Sequence, residues 1–252
     1  MAGPRIVALI YWLDMPDGVT FRAESIRDVH LDGFVSDFSH EYRFNAIEPF
    51  NSAKEARHHL EPQLDAWRQW TALLGNGDLL GFRYQRAERE PWPPGSGEVR
   101  VEVDVATTIS ICGSAPYIER TVDFPELPPP FRVYGGVELG VELLSAIAGS
   151  PRHTLHSAFQ YLTFLEVEHE NRRGIARQLN VQMDVLNDIG RLTSEGGDRS
   201  EARKFERRVR DRIDLNDARR QWLERVLREL VKRQGQFAAS AVPIEIFENR
   251  MP

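Results

Sequence analysis

Two residue pairs have types and spacing that could hold a metal: Glu55 with His58, and Glu166 with His169. Glu-x-x-His on a helix sets a carboxylate and an imidazole on one face, the half-site of a carboxylate-bridged di-metal centre. A complete centre needs a further glutamate from each of two other helices. Glu138 and Glu142 are the evident supply, and both fall on one expected helix. His58-His59 and His153-x-x-His156 lack a cysteine or third histidine at metal-site spacing. Glutamate and histidine are also ordinary residues of a solvated helix face, and the expectation is that no metal and no cofactor is held.

Nucleophilic chemistry has one thiol to draw on, Cys112, at the end of an apolar strand where an inert buried thiol is expected. No G-x-S-x-G elbow, phosphate-binding G-x-x-x-x-G-K-[ST] loop or dinucleotide G-x-G-x-x-G fingerprint occurs. A single cysteine forms no internal disulfide, and no run approaches the roughly 18 apolar residues of a membrane span. The expectation is a soluble, cytoplasmic protein with no membrane partner.

Of the 32 basic residues only three are lysine, and the arginines are spread over the whole chain. Residues 1–135 hold 13 basic and 20 acidic residues, a net of −7, against +1 for residues 136–252. The sharpest cluster is 199–220, with nine basic and five acidic residues. On a helix Arg203, Arg207 and Arg210 share a face, with Lys204 and Arg208 beside it. Arg203, Lys204, Arg207 and Arg208 are therefore the candidate phosphate contacts for RNA. The competing reading is a solvated face laced by pairs such as Glu206 with Arg210, and the interleaved carboxylates favour it.

The run Gly196-Gly-Asp-Arg-Ser-Glu-Ala-Arg-Lys-Phe205, a charged link and the amphipathic Trp222–Arg233 segment resemble the tail of HEPN-type helical domains. That resemblance covers about the last 100 residues. It implies a small helical bundle, often dimeric, often joined to a sensor domain in prokaryotic defence or stress systems. Catalytic members of that superfamily place Arg, four to six residues, then His, and cleave RNA without metal. The nearest approach here is Arg152-x-x-x-His156, one residue short, which leaves Arg152, His153 and His156 as the weak catalytic candidates.

The elements that must position these residues change character along the chain. Arg5–Trp12 is a β-branched and aromatic strand, with Thr20–Glu24 as its expected hairpin partner. Val29, Leu31 and Val35 share one parity, suggesting a single half-buried strand over Asp28–Phe38, and Glu41–Ile47 is another. Ser52-Ala-Lys-Glu55 is a capping box opening a helix to about Leu74, which Pro62 is expected to kink or split. Strands resume at Leu79–Arg86, Glu98–Ile111 and Pro116–Val122. After Pro125-Glu-Leu-Pro-Pro-Pro130 the periodicity becomes helical: Val137–Ala148, a helix capped by Ser150, another over Arg173–Leu192, and a last one from Asn216 to a stop at Gly235.

The fold expected is α+β: an N-terminal antiparallel sheet with one long helix over residues 1–124, a Pro-rich linker over 125–135, and a bundle of four to five helices over 136–252. Three functions fit it. The leading one is a binding or assembly protein whose C-terminal helices meet a protein partner or a second copy. The others are an RNA-binding or RNA-cleaving module and a metal- or thiol-dependent enzyme. The arginine cluster separates the first two. Reversing Arg203, Arg207 and Arg208 to glutamate is expected to leave RNA affinity at its baseline, whereas true phosphate contacts would each remove about 0.7 from the salt slope for single strands.

Overall fold

The computed structural model describes residues 4–14, 19–22, 29–38, 41–76, 80–90, 101–103, 120–195 and 215–252. The chain is α+β and divides into two compact units, Met1–Pro128 and Pro129–Pro252. Cys112 and the arginine cluster with Arg203, Lys204, Arg207 and Arg208 lie outside the described residues.

The first unit is built on β1 (Ile6–Asp14), which runs antiparallel between β5 (Tyr42–Phe50) and β6 (Gly81–Arg89). Because both neighbours oppose β1, β5 and β6 are parallel to each other, and α1 (Ala53–Thr71) connects them in a split β–α–β unit. β3 (His30–Leu31), β4 (Phe34–Phe38) and β7 (Val101–Val103) complete the sheet in the order β3-β4-β5-β1-β6-β7. α1 presents Ala56, Leu60, Leu64 and Trp67 to the sheet, where they meet Leu9, Tyr11, Tyr42 and Phe44. Aromatic rings dominate this core. Trp67 stands edge-on to Phe124 with centroids 5.4 Å apart, and its indole N–H donates to the Glu126 carbonyl at 2.9 Å.

The other face of the sheet is closed by charge. Ala8 and Ile10 are fully buried although they point away from α1. Ile10 is flanked in register by Arg43 and Arg86, and Ala8 by Asn45 and Glu88. Arg86 bonds both oxygens of Glu41, at 2.8 and 2.5 Å, and Arg43 pairs with Glu88. Arginine stems thus cover the apolar strand while their guanidinium groups are neutralised. The hydrogen bond to Glu41 outweighs desolvation and holds Arg86 above its ordinary pKa.

Several expectations are corrected here. The 20–24 segment is not the hairpin partner of β1: β2 (Val19–Phe21) pairs in parallel with β8 (Arg120–Val122), about a hundred residues away. The single strand over 28–38 is a hairpin, β3 and β4, turned at Gly33, whose φ of +78° suits glycine. Pro62 neither splits nor ends α1, which stays helical to Thr71 before a π-helical turn over Ala72–Asn76. Pro62 is on the exposed side, and buried Leu60 and Leu64 anchor the helix on both sides of it.

The second unit holds α2 (Gly135–Gly149), α3 (Thr154–Glu168), α4 (Arg172–Gln178), α5 (Met183–Glu195) and α6 (Asp217–Ala238). α3 packs on α2, α4, α5 and α6, and α2 packs on α6. Leu155, Leu162, Leu165, Ile175, Leu186, Ile189, Trp222, Leu223, Leu227 and Leu230 are buried. The continuous helix expected over 173–192 is two helices, separated where Asn180 takes φ +53°. Ser150 closes α2 rather than opening α3, which begins after a 3-10 turn at Pro151–His153. Asn216 caps α6 as expected, its side chain accepting from the Arg219 amide at 3.0 Å.

Gly235 does not stop α6. The helix runs through it, because a Cβ there would overlap the ring of Phe131, while its carbonyl accepts from the Arg132 amide at 3.0 Å. Phe131, within the expected linker, is thus buried in the second unit, and Phe124, just before that linker, is buried in the first. Gly235→Ala gains about 1 kcal/mol of helix propensity but overpacks a filled contact at a cost of about 1–3 kcal/mol. A net fall in denaturant midpoint is expected, smaller when Phe131→Ala is also present.

Candidate functional site

At one end of the helical unit the last turns of α3, α4 and α6 meet a C-terminal tail. The chain turns back at Ser240, φ +56°, and residues 241–252 return along the helices. Phe247 forms a parallel bridge with Val181: its amide donates to the Asn180 carbonyl at 2.9 Å and its carbonyl accepts from Gln182 at 3.1 Å. The Asn180 amide donates to the Pro243 carbonyl at 3.1 Å. Farther along, the indole of Trp222 donates to the Asn249 carbonyl at 2.9 Å, and Arg250 pairs with Asp184 at 3.1 Å.

Arg233 fixes this arrangement from beneath. It is 5% exposed, near the C-terminal end of α6. Nε donates to Glu229 at 2.8 Å, one turn earlier, and Nη1 reaches the carbonyls of Leu179, Asn180 and Glu245 at 3.1, 3.0 and 3.1 Å. One guanidinium therefore ties α6, the α4–α5 connection and the tail together. The Phe247 ring lies over it, 5.6 Å from centroid to Cζ.

Beside Arg233 a polar chain runs from the surface inward to buried His169 and Gln234. Tyr134 donates to Glu168 at 2.6 Å, and the Gln234 amide donates to the Tyr134 hydroxyl. That orientation turns the Gln234 oxygen to Nε2 of His169 at 2.8 Å. Nδ1 meets the Gln178 amide at 2.6 Å, and Phe237 packs edge-on to the imidazole. Burial first, and then the bond to Glu168, push the Tyr134 phenol above its ordinary pKa near 10, and burial does the same for Tyr161.

Of the residues singled out from sequence, the described ones are each engaged elsewhere or exposed. His169 is buried with both ring nitrogens engaged by glutamines, and Glu166 is paired with Arg172 at 2.6 Å, so neither is available to a metal. Glu55 serves the start of α1: its amide donates to Ser52 and its carboxylate accepts from the Asn51 amide, both at 3.1 Å. His58 stands exposed on α1. Among the described residues no group of three or more His, Cys, Asp or Glu side chains could hold a metal ion. Arg152, His153 and His156 are exposed where α2 turns into α3. Arg233, Gln178 and Gln234 were not singled out, since a lone arginine or glutamine on an amphipathic helix carries no sequence signal.

What this end displays is apolar. Ile244 is 96% exposed, Ile246 55%, and Val167, two residues before His169, 79%. Phe237, touching His169, is also partly exposed. In the first unit a cleft of about 540 Å³ runs along α1 and Gly81–Tyr84, beyond the residues that β7 pairs with. Four of its charges are paired among themselves: Arg57 bonds Glu61 at 2.7 Å and stacks on Tyr84, and Arg68 bonds Asp65 at 2.5 Å. No protein-family model matches the chain, and neither does any curated protein or solved structure. No helix among the described residues is long and apolar enough to cross a membrane.

Among the described residues two buried polar atoms of the helical unit, the Tyr161 hydroxyl and Arg228 Nε, lack a hydrogen-bond partner. The Tyr161 hydroxyl is buried with no hydrogen bond, although Tyr134 and Glu168 lie close enough to act on it electrostatically. An unmet buried hydroxyl costs about 1–3 kcal/mol. Tyr161→Phe is expected to stabilise the second unit by about 1 kcal/mol in urea unfolding, where truncation of a bonded tyrosine would destabilise it.

Proposed function

We propose that the protein is a binding or assembly protein that works by protein–protein contact through the end of its helical unit. The observation that carries this reading is the tail. A buried arginine and a set of backbone bonds hold Pro243–Phe247 in one place, and the side chains so held at 244 and 246 are isoleucines facing solvent. A tail that only sealed the core would turn its apolar side chains inward, as Phe247 does over Arg233. Rigid aliphatic groups at the surface, backed by a satisfied polar layer, are what a partner can bury without first ordering the chain.

Neither alternative has comparable support. The candidate catalytic residues Arg152, His153 and His156 stand exposed at a helix corner, and of the candidate metal ligands Glu55 serves a cap, Glu166 and His169 serve internal bonds, and His58 stands exposed.

Site-specific photo-crosslinking tests the reading. With a benzophenone side chain at position 244 or 246, cells producing the full chain are expected to yield one adduct of defined mass. The same group at the exposed position 156 should yield none. Equal or diffuse labelling from all three positions would remove the proposal.

A further inference from the structure

The same surface carries a charge pattern that defines the chemistry of what it binds; the inference rests on the reading above. Each strongly exposed apolar side chain at this end is flanked by glutamate. Val167 lies between Glu166 and Glu168, and the tail reads Ile244-Glu245-Ile246-Phe247-Glu248. Glu168, Glu170, Glu245 and Glu248 are all exposed. The exposed bases on neighbouring α4, Arg173 and Arg177, are two against these four, and Arg250 is neutralised by Asp184.

Two occupants compete for such a surface. A second copy in a two-fold contact presents the same net-acidic patch to itself, so the four glutamates of each copy would find only the other's Arg173 and Arg177 to pair with while losing water. Like charges left opposed at an interface disfavour it strongly. A partner carrying cations between apolar groups avoids that opposition and buries the isoleucines equally well. We propose that the end of the helical unit docks a basic, aliphatic segment of another protein, with Lys or Arg set between Leu, Ile or Val.

Complementarity of this kind has three consequences. Binding weakens as salt is raised, because the rim charges are solvent-exposed. It requires the isoleucines as anchors, because exposed ion pairs alone contribute about 0–1 kcal/mol each. It also changes sign when the carboxylates are reversed.

The test uses the full chain and two labelled peptides, one of alternating lysine and leucine and one of alternating glutamate and leucine, read by fluorescence anisotropy. The lysine peptide is expected to bind saturably and at least tenfold tighter than the glutamate peptide. The variant Glu245→Lys/Glu248→Lys should invert that preference, and Ile244→Ser/Ile246→Ser should weaken the lysine peptide at least tenfold. All four positions are exposed, and unchanged urea midpoints would show that the fold survives. If both peptides bind alike, or the preference ignores the charge reversal, the partner chemistry is wrong. Isoleucine-dependent binding would even then leave the interaction surface standing. Binding that the serine variant leaves intact would sink the surface itself. Light scattering showing a species twice 28.9 kDa, reduced to a monomer by the serine variant, would mean that a second copy covers this end and would overturn the choice of occupant.

Discussion

The geometry of the helical unit's exposed end depends on one buried cation. Removing a guanidinium from water is costly unless its donors are met, and Nε and Nη1 of Arg233 are met by one carboxylate and three carbonyls. Those partners belong to α6, the α4–α5 connection and the tail, so satisfying the charge positions the three together. Asn180 accepts φ +53° as part of the same arrangement, placing its carbonyl toward both Arg233 and the Phe247 amide. The neighbouring chain from Glu168 to Gln178 works by the same rule. Polar groups, rather than interlocking apolar ones, specify this end, and the apolar groups are thereby left for the surface.

The first unit solves the opposite problem. Its sheet has one helix and two faces to cover. The helix face is filled by rings, with Tyr42, Trp67, Phe82 and Phe124 in mutual contact. The other face buries Ile10 under paired arginines and glutamates. A charged lid of this kind conceals the apolar residues of β1 beneath paired side chains.

What was legible in the sequence was local. Ser52 and Asn216 bond amides three residues ahead, so caps are visible without knowing the fold. Strand identity in β1 and β5 follows from residue type, and the shift from strands to helices follows from periodicity. What was not legible depended on distant partners. The parallel pairing of β2 with β8, the passage of α6 through Gly235 against Phe131, and the survival of α1 across Pro62 are all set by tertiary contacts. For the candidate site the signal was faint but present: Ile-Glu-Ile just past a helix end is unusual for a segment with no core to enter. The glutamines around His169 could be found only in three dimensions.

The position of β1 in its sheet has a consequence for how the chain is made. β1 is internal to its sheet, yet both strands that flank it come later in the chain, β5 reaching Phe50 and β6 Arg89. Until Arg89 has been polymerised, Ile6–Tyr11 has at least one unpaired hydrogen-bonding edge and apolar side chains that cannot yet be enclosed. Closure of the sheet then waits on a contact of long sequence separation, which slows folding through loop entropy. A nascent chain of this design spends its early life with its stickiest strand uncovered. It is therefore a natural client for whatever factor shields emerging apolar segments.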